Sequence, residues 1–125
     1  MRSNILIVDS NAEELMQLIS YMEGEYDLED VASGEDCLFK ASNDCPDLIL
    51  VDDMILEPNC YELCTALKSD PLTIDVPIIL MSDLSASELA GEADSLGTDD
   101  FICKPINKDE LLEKVATLLA FSNAH

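Results

Sequence analysis

Charged and hydroxyl side chains follow four short apolar runs of the sequence, each at the point where a run ends. The four pairs are Asp9-Ser10, Asp52-Asp53, Ser82-Asp83 and Lys104-Pro105. Carboxylate oxygens are ligands for hard divalent cations, and a lysine beside them can hold an anion that shares the site with such a cation. Each pair alone is better explained by a solvated loop or a plain salt bridge. Together, at one edge of a sheet, they predict a site for a cation and an anionic group.

The apolar runs predict the strands that would bring these pairs together. Four runs are unbroken, at residues 5–8, 48–51, 76–81 and 101–103. Their length and β-branched content favour strands that are buried on both faces. Residues 26–32 alternate Leu28 and Val31 with acids, which indicates a weaker strand at an edge.

Between the runs, the apolar residues recur with the period of a helix. The sets with i, i+3, i+4, i+7 spacing are Leu15, Leu18, Ile19 and Met22; Cys60, Leu63, Cys64 and Leu67; and Ala86, Leu89, Ala90 and Ala93. A broad stripe from Leu111 to Leu119 predicts a last helix, Leu38 and Ala41 mark a shorter one after Gly34, and Gly97 suits a helix C-cap. Five strand-helix units in this order predict an α/β fold with a parallel sheet and helices on both faces. In such sheets the functional groups collect beyond the carboxyl ends of the strands.

Length, charge and cysteine content limit the class of protein. A chain of 125 residues predicts a single domain, at residues 1–121, followed by a loose tail at 122–125. The formal net charge of -21 disfavours direct binding to nucleic acid or anionic lipid. The N-terminal apolar run is too short for a signal peptide or a membrane span, so we expect a cytoplasmic protein. Five cysteines without disulfide-type spacing predict reduced thiols.

Cys60 and Cys64 are spaced so that two thiolates on one helical face could bind zinc. They share that face with Leu63 and Leu67, and the sequence has a single histidine, His125. Burial in the core is therefore favoured over a metal site.

Four segments in order resemble the receiver domain of bacterial two-component response regulators, over essentially the whole chain. These segments are ILIVDS near the start, PDLILVDD in the middle, VPIILMS after it, and GTDDFICKP near the end. The resemblance implies a flavodoxin-like (βα)5 fold, a doubly wound sheet of five parallel strands in the order 2-1-3-4-5.

The resemblance also implies roles for the residues at the strand ends. Asp52 would accept a phosphoryl group from a phosphohistidine on a histidine kinase or phosphotransfer protein, while Asp53 would point to the other side of the strand. The implied metal is Mg2+, bound by Asp9, Asp52 and the backbone carbonyl of Met54. Ser82 and Lys104 would contact the phosphoryl oxygens.

Phe101 matches the aromatic switch residue of such domains. Movement of Ser82 and Phe101 would bias two states of the face formed by the last two helices and the last strand. That face would act on a downstream output protein or domain, and in the family it also forms homodimers. The Lys104-Pro105 bond matches a cis peptide bond of the family.

Three features depart from the family pattern. Ser10 replaces the second acid after the first strand, and a hydroxyl is a poorer Mg2+ ligand, so a weakened metal site is expected; Asp53, Glu57 or Asp83 are candidates to compensate. Asp83 stands where a small residue is usual and would obstruct or repel the phosphoryl donor, or hinder hydrolysis. The loop ILEPNCYEL lacks the usual glycines, although Asn59 can adopt a left-handed conformation or cap a helix.

These observations leave three functional hypotheses. The first is a phospho-accepting receiver that depends on Mg2+ and is not an enzyme, since it assists only its own phosphorylation and dephosphorylation. The second, motivated by Ser10 and Asp83, is a degenerate receiver that acts as a phosphorylation-independent interaction module. The third, a flavin- or nucleotide-binding protein, is disfavoured because SNAEE after the first strand is not a glycine-rich phosphate loop.

Overall fold

Strands and helices alternate along the chain. The structure is a computed structural model and describes residues 2–123. The strands are β1 Asn4–Val8, β2 Asp27–Val31, β3 Leu48–Asp52, β4 Ile78–Ser82 and β5 Asp100–Cys103. The helices are α1 Ala12–Met22, α2 Gly34–Asn43, α3 Cys60–Ser69, α4 Ala86–Leu96 and α5 Lys108–Asn123. All neighbouring strands pair in parallel, in the order β2-β1-β3-β4-β5. The predicted fold class and strand order are confirmed.

The side-chain alternation of the strands divides the core into two layers. Ile5, Leu50 and Ile102 pack on the side of the sheet that α1 and α5 cover. Leu6 and Val51 pack on the opposite side, with α2, α3 and α4. Successive strand residues point to opposite faces of the sheet. The position of a polar residue in its strand therefore determines which face of the sheet its side chain lies on.

Local capping determines where the helices begin and end. Side chains that accept hydrogen bonds from the first turn cap all five helices; these residues are Asn11, Ser33, Asn59, Ser85 and Asn107. Gly97 ends α4 with a left-handed φ of 73°, as predicted. Asn59 serves as the N-cap of α3, one of the two roles that the sequence offered.

The loop between β3 and α3 has a conformation that the sequence did not predict. Glu57, not Asn59, takes the left-handed conformation, with a φ of 60°, and the Glu57–Pro58 peptide bond is cis. The carbonyls of Leu56 and Glu57 accept hydrogen bonds from the backbone N–H groups of Gly34 and Glu35, at 3.0 and 2.6 Å. The loop therefore rests on the first turn of α2.

Two boundaries differ from the sequence prediction. Strand β4 begins at Ile78 rather than Val76, since Pro77 has no N–H to donate to the ladder. Helix α5 continues to Asn123, so residues 122 and 123 are helical rather than part of a loose tail. Ala124 and His125, the rest of the predicted tail, lie outside the described residues.

Candidate functional site

Three of the predicted site residues meet on the side of the sheet that α1 and α5 cover. Asp9 follows Val8, Asp52 follows Val51, and Lys104 follows Cys103, so alternation directs all three side chains away from the layer of α2, α3 and α4. Asp9 and Asp52 are only 2% and 4% exposed. Burial of two neighbouring carboxylates is costly unless positive charge is close by.

Lys104 supplies part of that charge. Its Nζ donates to Asp52 Oδ1 at 2.6 Å and to Glu14 Oε2 at 2.9 Å. Burial lowers the pKa of Lys104, but the hydrogen bonds to Asp52 and Glu14 outweigh that effect and raise it overall. The ammonium therefore stays charged at neutral pH. Burial raises the pKa of Asp52, although Lys104 opposes this shift.

Asp9 has one carboxylate oxygen satisfied and one without a partner. Oδ1 accepts a hydrogen bond from the backbone N–H of Asn11 at 2.9 Å, whereas Oδ2 is buried with no hydrogen-bond partner. Burial raises the pKa of Asp9 to about 6, and the nearby charges of Asp52 and Glu14 add to the shift. A buried, unpartnered carboxylate oxygen is the kind of group that a bound cation satisfies.

Glu14 is the site residue that the sequence analysis missed. Carboxylate oxygens of Asp9, Glu14 and Asp52 all lie within 4.8 Å of one another, the one such group of potential ligands among residues 2–123. The available signal was its place in the first turn of α1, three residues after the cap Asn11, which brings its side chain back to the end of β1. None of the three predicted compensating acids belongs to this cluster.

The residues present fit a magnesium ion. Three carboxylates and one lysine leave a net negative charge, oxygen donors suit a hard dication, and the unpartnered Asp9 Oδ2 lies within the cluster. A cleft of about 230 Å³ opens beside the cluster. Its lining includes Asp9, Glu14, Gln17, Asp83, Lys104 and Pro105.

Ser82 faces the opposite side of the sheet. Its hydroxyl donates to Asp53 Oδ2 at 2.6 Å and accepts from the backbone N–H of Leu84 at 3.1 Å. Asp53 lies on the side of α3 and α4, as predicted from strand alternation. Asp83, one residue further along, is exposed and lines the cleft of the carboxylates instead. In this state the serine is thus paired with Asp53 rather than with Asp52.

Two further candidate ligands, Ser10 and the Met54 backbone carbonyl, are not carboxylates. Ser10 is exposed, and the Met54 side chain is 72% exposed. The metal-binding role of the Met54 carbonyl remains a prediction.

Phe101 is partly buried against the layer of α2, α3 and α4. The Lys114 ammonium of α5 lies 5.0 Å from the centre of its ring and donates to the Phe101 carbonyl at 2.6 Å. A cation over an aromatic face is attracted by the ring. Helix α5 is therefore linked directly to this aromatic residue.

Cys60 and Cys64 are both buried in the apolar core beside Leu63 and Leu67. The prediction of core packing is confirmed. The predicted cis bond between Lys104 and Pro105 is also present.

Comparison with known proteins decides the family. The family model described as the response regulator receiver domain matches residues 5–116. The chain therefore belongs to the response regulator receiver family. Mg2+ binding and phosphorylation are typical of receivers, which are phosphorylated by histidine kinases and connect to output domains.

Several receivers and receiver-containing proteins are similar to this chain. The response regulator PleD of Caulobacter vibrioides is 30% identical over 97% of this chain and 27% of its own length. The alkaline phosphatase synthesis transcriptional regulatory protein PhoP of Bacillus subtilis is 30% identical over 95% of this chain and 49% of its own length. The chain thus spans at most about half of these relatives.

A solved structure supports the same conclusion. The signal receiver domain of a signal transduction histidine kinase from Syntrophus aciditrophicus has a TM-score of 0.85 and 33% identity, over 94% of this chain and 90% of that one. No helix within residues 2–123 of the receiver is both long and apolar enough to span a membrane.

Proposed function

We propose that this receiver accepts a phosphoryl group on Asp52 from a phosphohistidine of a partner protein. The observation that carries the proposal is the buried Asp52 carboxylate at the end of a central strand, paired with Lys104 and clustered with Asp9 and Glu14. Lys104 binds Oδ1, which leaves Oδ2 as the oxygen that attacks phosphorus. The new O–P bond replaces the P–N bond, and the imidazole of the donor leaves.

The surrounding residues offset the charge of the transferred group. Asp9, Asp52 and the Met54 carbonyl would hold Mg2+, which supplies positive charge to the phosphoryl oxygens. Lys104, hydrogen-bonded to Asp52 Oδ1, would supply a second positive charge. The chemistry is confined to the receiver's own aspartate, so the domain acts as a switch rather than as an enzyme for a separate substrate.

Phosphorylation changes the balance of hydrogen bonds at the end of β4. The Ser82 hydroxyl leaves Asp53 and binds a phosphoryl oxygen, and Phe101 turns further into the space beside it. These movements favour a second state of the α4-β5-α5 face, on which an output protein or domain binds. The contact between Lys114 and Phe101 couples α5 to this change.

Intact-protein mass spectrometry after incubation with acetyl phosphate or phosphoramidate tests the proposal. We expect one phosphoryl adduct that requires Mg2+, is absent in Asp52→Asn, and persists in Asp53→Asn. Asp53→Asn is a matched control because it removes the adjacent acid on the other face of the sheet. An adduct that survives Asp52→Asn would contradict the assignment. No adduct from either donor or from a phosphorylated histidine kinase, together with no Mg2+ binding, would instead indicate a phosphorylation-independent interaction module.

A further inference from the structure

The Glu14 side chain does not make the hydrogen bond that is usual for an acid at its position in a helix. Asn11 caps α1 by accepting hydrogen bonds from the N–H groups of Glu13 and Glu14. An acid three residues after the cap ordinarily turns back to bind the N–H of the capping residue. Here that N–H donates to Asp9 Oδ1 instead. The Glu14 carboxylate is therefore free to extend to the end of the sheet, where it meets Lys104.

The vacant acceptor on Asp9 is a second, independent sign of a ligand. Asp9 is only 2% exposed, and its Oδ2 has no hydrogen-bond partner. Lys104, the cation nearest to the cluster, is engaged by Asp52 and Glu14. One ammonium therefore faces three carboxylates, which leaves two negative charges for a dication to balance.

We propose that Glu14 takes the place of the missing acid at position 10 as the third carboxylate of the Mg2+ site. This inference rests on the proposed function, since it concerns the same metal site. Ser10 is exposed and offers only a neutral hydroxyl, whereas Glu14 has a carboxylate oxygen within 4.8 Å of ligand atoms of both Asp9 and Asp52. Affinity for a hard cation rises with the number of charged oxygen ligands. The chain thus has three acids at the site, with one drawn from α1 instead of from the end of β1.

The other acids nearby are less suited to this role. Asp53 binds Ser82 on the opposite side of the sheet. Asp83 lines the cleft, but its carboxylate is not part of the close group formed by Asp9, Glu14 and Asp52. Glu14 is therefore the residue that the geometry selects.

An NMR titration with MgCl2 tests the inference, because the amide shifts report both the affinity and the integrity of each variant. Four proteins are compared: wild type, Glu14→Gln, Glu13→Gln, and Ser10→Asp combined with Glu14→Gln. Glu13→Gln is the matched control, since it removes the same charge from the same helical turn at an exposed side chain. The combined variant moves the acid from α1 back to position 10 and keeps the net charge of the wild type.

We expect Glu14→Gln to raise the Kd for Mg2+ about 10-fold or more, by analogy with the 10–100-fold losses seen when groups around a metal are removed. Glu13→Gln should change it by less than about 2-fold, because the effect of an exposed charge is screened. The combined variant should recover most of the wild-type affinity.

Each contrary result has a definite meaning. Unchanged or tighter binding by Glu14→Gln would overturn the inference and leave Glu14 as an ion-pair partner of Lys104 alone. Equal losses in Glu14→Gln and Glu13→Gln would also overturn it, since the effect would then be one of net charge. If the combined variant does not recover affinity for Mg2+, the proposal that Glu14 replaces an acid at position 10 would be overturned. Absence of Mg2+ binding by the wild type would overturn the proposed metal site itself, and the inference with it.

Discussion

The unsatisfied oxygen of Asp9 makes the metal-free domain sensitive to pH. Burial raises the Asp9 pKa from 3.8 to about 6, so the folded state binds a proton at pH values where the unfolded chain has lost it. The stabilisation from this group is complete below the unfolded pKa and is lost as the pH rises through about 6. A cation that satisfies Oδ2 would replace the proton.

We therefore expect the free energy of unfolding of the metal-free wild type to fall as the pH rises from about 5 to about 7.5. The fall should exceed that of Asp9→Asn by about 1–2 kcal/mol. Urea denaturation in the presence of a chelator measures this difference, and the pH range stays above the isoelectric point of about 4.1. The exposed Asp83→Asn variant is the control and should follow the wild type. Parallel pH profiles for wild type and Asp9→Asn would contradict the prediction.

Residue patterns predicted the positions of Asp9, Asp52 and Lys104, because each one directly ends a buried strand whose side-chain alternation is fixed. The Ser82 pairing was not predicted: the resemblance implied a contact with the phosphoryl group at Asp52, whereas in this state the Ser82 hydroxyl donates to Asp53. Glu14 was missed because its direction depends on which residue caps α1 and on Asp9 taking the N–H of that cap. Such choices between competing hydrogen bonds are made only once the elements are assembled.

At the level of elements, the strand order 2-1-3-4-5 came from the resemblance to receiver domains, while the parallel sheet with helices on both faces followed from the succession of apolar runs and helical periods. The conformation of the loop between β3 and α3 could not be predicted in this way, because it depends on a contact with α2 rather than on the loop's own turn residues. A Cβ added to Gly34 would lie 2.6 Å from the Pro58 carbonyl oxygen. Gly34 is therefore required by the close approach of the loop.

We predict that Gly34→Ala destabilises the receiver by about 1–3 kcal/mol, as for other overpacked positions. Gly91→Ala is the matched control, because Gly91 is exposed within α4 and an added Cβ there meets no atom within 4 Å. That variant should be neutral, or more stable by up to about 1 kcal/mol, because alanine favours helix. Urea denaturation of both proteins provides the comparison. Equal effects of the two substitutions would indicate that the loop can withdraw from α2 at little cost.

For the whole molecule, the net charge of -21 and the metal site respond differently to salt. Monovalent salt screens the repulsion among carboxylates across the surface, so the melting temperature should rise with NaCl. Mg2+ should add stability beyond this screening, because it binds the folded site specifically. At ten times its Kd, a ligand contributes about 1.4 kcal/mol.

We expect MgCl2 to raise the melting temperature more than NaCl does at equal ionic strength, and the excess to shrink in Asp52→Asn. Differential scanning calorimetry measures both effects. Glu13→Gln, with its charge removed from an exposed position, should retain the excess. If the two salts act equally on wild type, the stabilisation is general screening and the specific site is absent.

The loop that rests on α2 also bears on the exchange of amide protons with solvent. The first N–H groups of a helix have no partner within the helix, yet those of Gly34 and Glu35 are bound to the carbonyls of Leu56 and Glu57. These carbonyls lie only four and five residues after Asp52 along the chain. Two protons at the start of α2 are therefore shielded from deuterium only while the loop stays in place. Helix α2 carries none of the proposed site residues, yet deuterium exchange at its first amides would report a movement of the loop that follows Asp52.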